Sequence, residues 1–253
     1  MNKGFVIMAQ NTASTNYVAC AETLEASIKR TMPDSNVTII TSDKLPYGDL
    51  APDSDWKLIN DWQVYEASPY EYTIKLEADM FIQQDISYWW DVLIERDLVL
   101  CNTIRNFKNE ISNVVAYRKF ITDNKLPNVY NAITYFRKSD FSKRFYTIVR
   151  DVFENWDQYK ATLKCDANEI CTTDWAYSIA GHIVGIERCT LPNFTQMSMI
   201  HMKQYVNDLI REDWTCELVY ELHDVLKINT YHQRYPFHYH VKSFADVLKG
   251  TIC

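Results

Sequence analysis

Residues 4–40 constrain the fold more than any other part of the chain. "GFVIMAQ" (4–10) is an unbroken apolar run of strand length. "NYVACAETLEASIKR" (16–30) places Val18, Leu24 and Ile28 on one helical face, with good helix formers between them. "NVTII" (36–40) is a second, β-branched strand. Strand, helix and strand in this order form a crossover unit. Such a unit pairs its strands in parallel and leaves ligands at their carboxyl ends. The expected class is α/β, with a mixed, mostly parallel central sheet flanked by helices.

The remaining pattern extends this unit. Residues 56–67 read as a helix, "TIKL" (73–76) and "LVLC" (98–101) as strands, and "NAITYF" (131–136) as a strand feeding a helix over 140–156. "TTDWAYSIAGHI" (172–183) opens with threonine caps and an early Asp, a helix start. "FTQMSMIHMK" (194–203) is extended, and the tail 218–249 mixes a helix with an aromatic, His-rich stretch.

At 253 residues, 47% of them hydrophobic, the chain can fill a substantial core, and five glycines are too few for a flexible linker. One domain is expected over residues 1–205, with 206–253 as an extension packed on it. The first eleven residues are too weakly apolar for a signal peptide, and no run reaches about 18 apolar residues, so a soluble cytoplasmic protein without a membrane partner is expected. Seven cysteines with no C-x-x-C pair exclude a zinc ribbon and fit reduced thiols.

The stretch "TIKLEADMFIQQD" (73–85) ends a strand in Glu77 and Asp79. Residues two apart in a strand share a face, so both carboxylates are expected to point together. Converging carboxylates are costly unless a cation lies between them, and hard divalent ions prefer oxygen donors. A solvated strand end is the plain alternative. "YHQRYPFHYHVK" (231–242) puts His238 and His240 on one face if extended. That suits a metal site, though an aromatic strand packed on the core is the favoured reading. Trp62, Trp89, Trp90 and Tyr65 read as core.

The order of these motifs resembles the GT-A fold glycosyltransferases, most closely family 8 and phage-encoded DNA-modifying relatives. "KLEADMFI" is similar to the strand end that binds a divalent ion on a nucleotide-sugar diphosphate, with Glu77 replacing the usual first Asp. "STNYVACAETLEASIK", "NVYNAITYFRKS", "TTDWAYSIA" and "MIHMK" follow in the family's order over residues 4–205. The resemblance implies a divalent ion, Mn²⁺ or Mg²⁺, held by Asp79, His201 and Glu77. It implies nucleotide-sugar contacts, with UDP as nucleotide, from Ala9, Gln10, Asn11, Asn16, Tyr17, Lys75, Glu77, Ala78 and Lys203. Asp174 and Asn131 take the catalytic positions beside the sugar, and transfer with retention is implied.

The net charge of −7 hides an asymmetry. Residues 101–150 hold ten Lys/Arg against three Asp/Glu. "RNFKNE" and "VAYRKF" interleave cations with aromatic residues, a composition suited to phosphates and bases. Arg105, Lys108, Arg118 and Lys119 are the candidate acceptor contacts, and a hydroxymethylated pyrimidine in DNA is the expected acceptor, with an ordinary solvated face as the alternative. Protein, glycan or small-molecule acceptors stay open. So do a nucleotidyltransferase and a non-catalytic nucleotide-sugar-binding module, although "AQNTASTNY" lacks the Gly-rich basic loop of the former.

Overall fold

The computed structural model describes residues 2–251 apart from 212–213, 217, 219 and 222–224. Strands β1 (Lys3–Met8) and β2 (Val37–Ile40) pair in parallel, and helix α1 (Tyr17–Thr31) connects them. Two asparagines start α1. Asn16 Oδ1 accepts from the Ala19 amide at 3.1 Å, and Asn11 Oδ1 accepts from the Val18 amide at 2.9 Å. Both satisfy donors that the first helical turn leaves open. Cys20, Leu24 and Ile28 form the buried stripe of α1.

Residues 56–67 depart from the expected helix. Lys57–Gln63 is a 3₁₀ helix, followed by the single turn α2 (Val64–Ala67). Tighter winding stacks side chains three apart, which brings Gln63 Nε2 to Asn60 Oδ1 at 3.1 Å. Both amides then hold the preceding loop, through the Leu50 amide to Asn60 and the Tyr47 amide to Gln63, each at 2.9 Å.

The chain continues through β3 (Tyr72–Glu77), β4 (Met80–Phe81), α3 (Trp89–Leu93), β5 (Leu98–Cys101), β6 (Thr103–Arg105), β7 (Ile111–Ser112), α4 (Lys119–Asp123) and β8 (Tyr130–Arg137). Then come α5 (Asp140–Glu154), α6 (Trp156–Thr162), α7 (Thr173–Val184), β9 (Ser198–His201) and α8 (Gln204–Asn207). The C-terminal part adds β10 (Tyr220–Glu221), β11 (Lys227–Ile228), β12 (Tyr231–His232), β13 (Phe237–His238) and α9 (Phe244–Thr251).

The first sheet has the order β2-β1-β3-β8-β5, and only β8 runs against its neighbours. Alternate residues of β1 feed two cores. Phe5 and Ile7 pack on the side of α1 and α3, while Val6 packs on the side of α5 and α7. Covering both faces is what a largely parallel sheet requires. The second sheet has the order β4-β13-β9-β6-β7 and is assembled from pieces of two to four residues. A small antiparallel sheet, β10-β11-β12, lies in the C-terminal part. Cys20, Cys101, Cys165, Cys171 and Cys189 are free thiols, and Cys253 lies outside the described residues. Among the described residues no helix is long and apolar enough to cross a membrane.

Candidate functional site

Strand β3 ends at Glu77, and Ala78 and Asp79 form a turn before β4. Strand alternation therefore stops short of Asp79, yet both carboxylates reach one imidazole. His238 Nε2 lies 3.2 Å from Glu77 Oε2 and 3.1 Å from Asp79 Oδ2. Strand β13 makes this meeting possible. It pairs antiparallel with β4, setting His238 opposite Met80, and parallel with β9, setting His238 beside His201. The Tyr239 amide donates to the Asp79 carbonyl at 3.2 Å and pins the turn. Lys242 Nζ forms an ion pair with Asp79 Oδ2.

Burial acts against charge on both carboxyls, and the neighbours decide the outcome. At Glu77 burial prevails and raises the pKa, with His238 and Lys75 opposing. At Asp79 the same burial is overruled by His238 and Lys242, which hold the carboxyl well below its usual range. Burial lowers the Lys242 ammonium, but Asp79 more than compensates and the pKa rises, so the cation persists. Burial, reinforced by His238, pushes His201 and His240 well below the ordinary imidazole value. The His238 Nδ1 atom is buried without a hydrogen-bond partner.

These groups line a cleft of about 500 Å³ at the carboxyl end of the parallel strands. Gln10, Tyr17, Glu77, Ala78, Asp79 and Lys203 reach it as expected. So do Lys75, Asn131 and Asp174; Lys75, Asp174 and the Asn131 backbone are engaged, whereas Asn131 Nδ2 is buried without a hydrogen-bond partner. Lys75 is fully buried, pairs with Asp61 at 2.7 Å and donates to the Asn131 carbonyl at 3.2 Å. Asp174 accepts from the Asn131 amide at 2.9 Å and pairs with Arg118 at 3.1 Å. Asp174 thus braces the strand beside the cleft, a role its place in the first turn of α7 makes available. Ala9, Asn11 and Asn16 do not line the cleft, and both asparagine carbonyls cap α1.

Two expected acceptor contacts need correction. Arg105 is 8% exposed; it donates to Ser198 Oγ at 2.9 Å, the Asn109 carbonyl at 2.9 Å and the Thr195 carbonyl at 3.2 Å, and lies 3.9 Å from the Tyr235 ring. Arg118 is 6% exposed, bound to Asn128, the Val129 carbonyl and Asp174, over the Tyr130 ring. Each guanidinium is more than nine-tenths buried and spends three contacts inside the fold, so neither is presented to a polyanion. Arg118 borders the cleft, whereas Lys108 and Lys119 are exposed outside it. Lys143, Arg144 and Arg150 lie on the solvated face of α5.

The imidazole beside the carboxylates is His238, where His201 was expected, and the ammonium on Asp79 belongs to Lys242. Donor atoms of Glu77, Asp79 and His238 lie within 4.8 Å of one another, and those of His201, His238 and His240 form a second such group. A signal for this was present in "FHYHVK". Phe237 and Tyr239 are fully buried in the core, so the alternate residues His238 and His240 face the cleft. The aromatic-strand and metal readings describe two sides of one segment.

No family model and no curated protein matches the sequence. Solved structures do resemble the chain. The WbbM bifunctional glycosyltransferase superposes with a TM-score of 0.51 at 12% identity, over 82% of this chain and 41% of that one. The chain thus spans less than half the length of that protein. GlyE of Streptococcus pneumoniae gives 0.48 at 10% identity, over 97% and 60% of the two chains. The galactosyltransferase LgtC, in complex with donor and acceptor sugar analogues, gives 0.45 at 11% identity, over 71% and 70%. With its two five-stranded mixed sheets flanked by helices, the chain has the GT-A glycosyltransferase fold.

Proposed function

We propose that this protein is a glycosyltransferase that binds a nucleoside-diphosphate sugar in the cleft, with UDP as nucleotide, and passes the sugar to an acceptor hydroxyl. One observation carries the reading: Glu77, Asp79, His238 and Lys242, from two segments far apart in the chain, converge at the carboxyl end of β3 in a GT-A fold. The donor set fits a divalent ion. It offers two carboxylates and an imidazole at ligand spacing, and one imidazole nitrogen is shared between the two carboxylates. Glu77, Asp79 and His238 would hold Mn²⁺ or Mg²⁺, which supplies charge to a departing diphosphate.

The chain's own groups do the rest. Lys242 carries a persistent positive charge at the cleft wall, suited to a second diphosphate oxygen. Lys203 stands on the same wall. Fixed cations of this kind stabilise a leaving group most where its charge is greatest, in the transition state. Asp174 and Arg118 fix the Asn131 backbone beside the sugar, as positioning residues. Retention at the anomeric carbon is proposed on the resemblance alone.

For the acceptor, only Lys108 and Lys119 of the four basic candidates are exposed. The proposal therefore commits to a hydroxyl acceptor, with hydroxymethylated DNA as one arm of the test beside proteins and glycans. The deciding experiment screens nucleotide sugars for nucleoside diphosphate release with and without Mn²⁺ or Mg²⁺. Release with at least one donor, abolished in Asp79→Ala, is expected. Binding of a donor without release under any ion would overturn transfer and leave a binding module.

A further inference from the structure

The carboxylate site does not use all the imidazoles in the cleft. His201 Nδ1 and His240 Nε2 lie 3.3 Å apart. Ring centroids are 3.8 Å apart for His238 and His240, 4.7 Å for His201 and His240, and 5.4 Å for His201 and His238. Each ring offers a nitrogen within 4.8 Å of the other two. A tetrahedral ion with metal–nitrogen bonds of about 2.0–2.1 Å spaces its ligand nitrogens roughly 3.3 Å apart. The His201–His240 pair already has that spacing.

Two further observations point the same way. His240 has a φ of 59°, a left-handed conformation uncommon for any residue but glycine, and it aims the ring into the cluster. The Tyr117 ring packs over His201 at 6.3 Å and 27°, and the Tyr130 ring meets it edge-on at 5.6 Å, giving the imidazoles an apolar wall. Such walls limit solvent access and raise the affinity of a site.

We propose that His201, His238 and His240 form a second divalent-cation site with nitrogen donors, adjoining the carboxylate site and sharing His238 with it. Imidazole donors favour Zn²⁺, Co²⁺ and Ni²⁺ over Mg²⁺ and Mn²⁺. The cleft then sorts ions by chemistry: oxygen-preferring ions to Glu77 and Asp79, nitrogen-preferring ions to the three histidines. This goes beyond nucleotide-sugar transfer and does not depend on it.

The test uses the full chain, stripped of metal and titrated with Co²⁺ alone and with Mn²⁺ alone, with no nucleotide sugar present. Co²⁺ is expected to give an intense visible band of four-coordinate type, with three exchangeable, paramagnetically shifted imidazole N–H resonances, one per histidine of the cluster. His201→Asn with His240→Asn should weaken Co²⁺ binding about 100-fold, while Mn²⁺ binding, read by electron paramagnetic resonance, stays within about threefold. Asp79→Asn should do the reverse. The resonance count needs no variant, so a substitution that fails to fold leaves the test intact. A single shifted imidazole signal, or loss of Co²⁺ and Mn²⁺ together in Asp79→Asn, would overturn the second site. Because no donor is present, neither result bears on whether the protein transfers a sugar.

Discussion

Two buried carboxylates in the same cleft have opposite surroundings. Asp61 gives one oxygen to Lys75 at 2.7 Å and the other to the Tyr177 hydroxyl at 2.7 Å. Asp79 and Glu77 instead share one imidazole nitrogen, with Lys242 on Asp79. A single N–H cannot satisfy two carboxylates. The first cluster is electrically complete, and completion is what a structural ion pair needs. The second holds more negative oxygen than the protein can satisfy, and that excess is what a cation would meet. Proximity of charges is common to both, so the difference lies in whether the donors and acceptors balance.

The largest expected effects break the two clusters separately. Asp79→Ala should lower nucleoside diphosphate release by about 10²–10³-fold with a smaller loss of stability than Asp61→Asn, because the Lys242 ammonium it leaves keeps access to solvent that Lys75 lacks. Asp61→Asn should do the opposite, destabilising the fold by about 3–5 kcal/mol by leaving the Lys75 ammonium buried and unpaired. Parallel thermal melts and donor assays check the pair, and equal losses of stability in both variants would erase the distinction.

His238→Gln comes next. It should weaken Mn²⁺ binding by at least the roughly 10–100-fold typical of losing even an outer partner of a metal site. Isothermal titration of the metal-stripped protein measures this. A smaller effect is expected from Lys242→Ala, because it removes one charged contact of about 1.5–3 kcal/mol. Donor affinity should fall by roughly tenfold or more, with Mn²⁺ binding retained, as read by donor titration at saturating Mn²⁺.

The smallest effect sharpens the comparison with a further carboxylate, in the loop before the 3₁₀ helix. Asp49 is complete like Asp61, accepting from Lys57 at 2.8 Å, Asn60 at 2.8 Å and the Ala51 amide at 3.0 Å. Burial would raise its pKa, but these donors lower it below the ordinary 3.8. A depressed carboxyl stabilises the fold above its unfolded pKa, and the contribution disappears as pH falls through the folded value. Lys57→Met should therefore cost about 1 kcal/mol at pH 7 and less once Asp49 is protonated, when only the Lys57 contacts to the Ala51 and Pro52 carbonyls are lost. Urea unfolding at pH 7 and in acid reads both limbs.

How much of this was legible depends on period and distance. Residues 4–40 read correctly because strand and helix periods were long enough to count. Glu77 and Asp79 were legible because two neighbouring carboxylates are a local signal. His238 was not. Its strand has two residues, too few for any period, and its partner Asp79 is 159 residues away. Residues 101–150 misled for another reason. A charge count cannot see burial, and Arg105 and Arg118 serve as internal brackets for carbonyls and rings. The 3₁₀ turns at Lys57–Gln63 were hidden because Asn60 and Gln63 hold a loop whose position the sequence does not state.

The insertion of β13 between β4 and β9 also sets a timetable for biosynthesis. The ribosome makes Asp79 long before His238, and the 159 residues between them take about 8–30 s at typical elongation rates. Throughout that interval β4, joined late by β9, lacks the strand between them and presents an open edge to other nascent chains. The first sheet can close on the ribosome, because none of its strands lies beyond Arg137. The candidate site instead waits for β13, about 100 residues after the last strand of the first sheet.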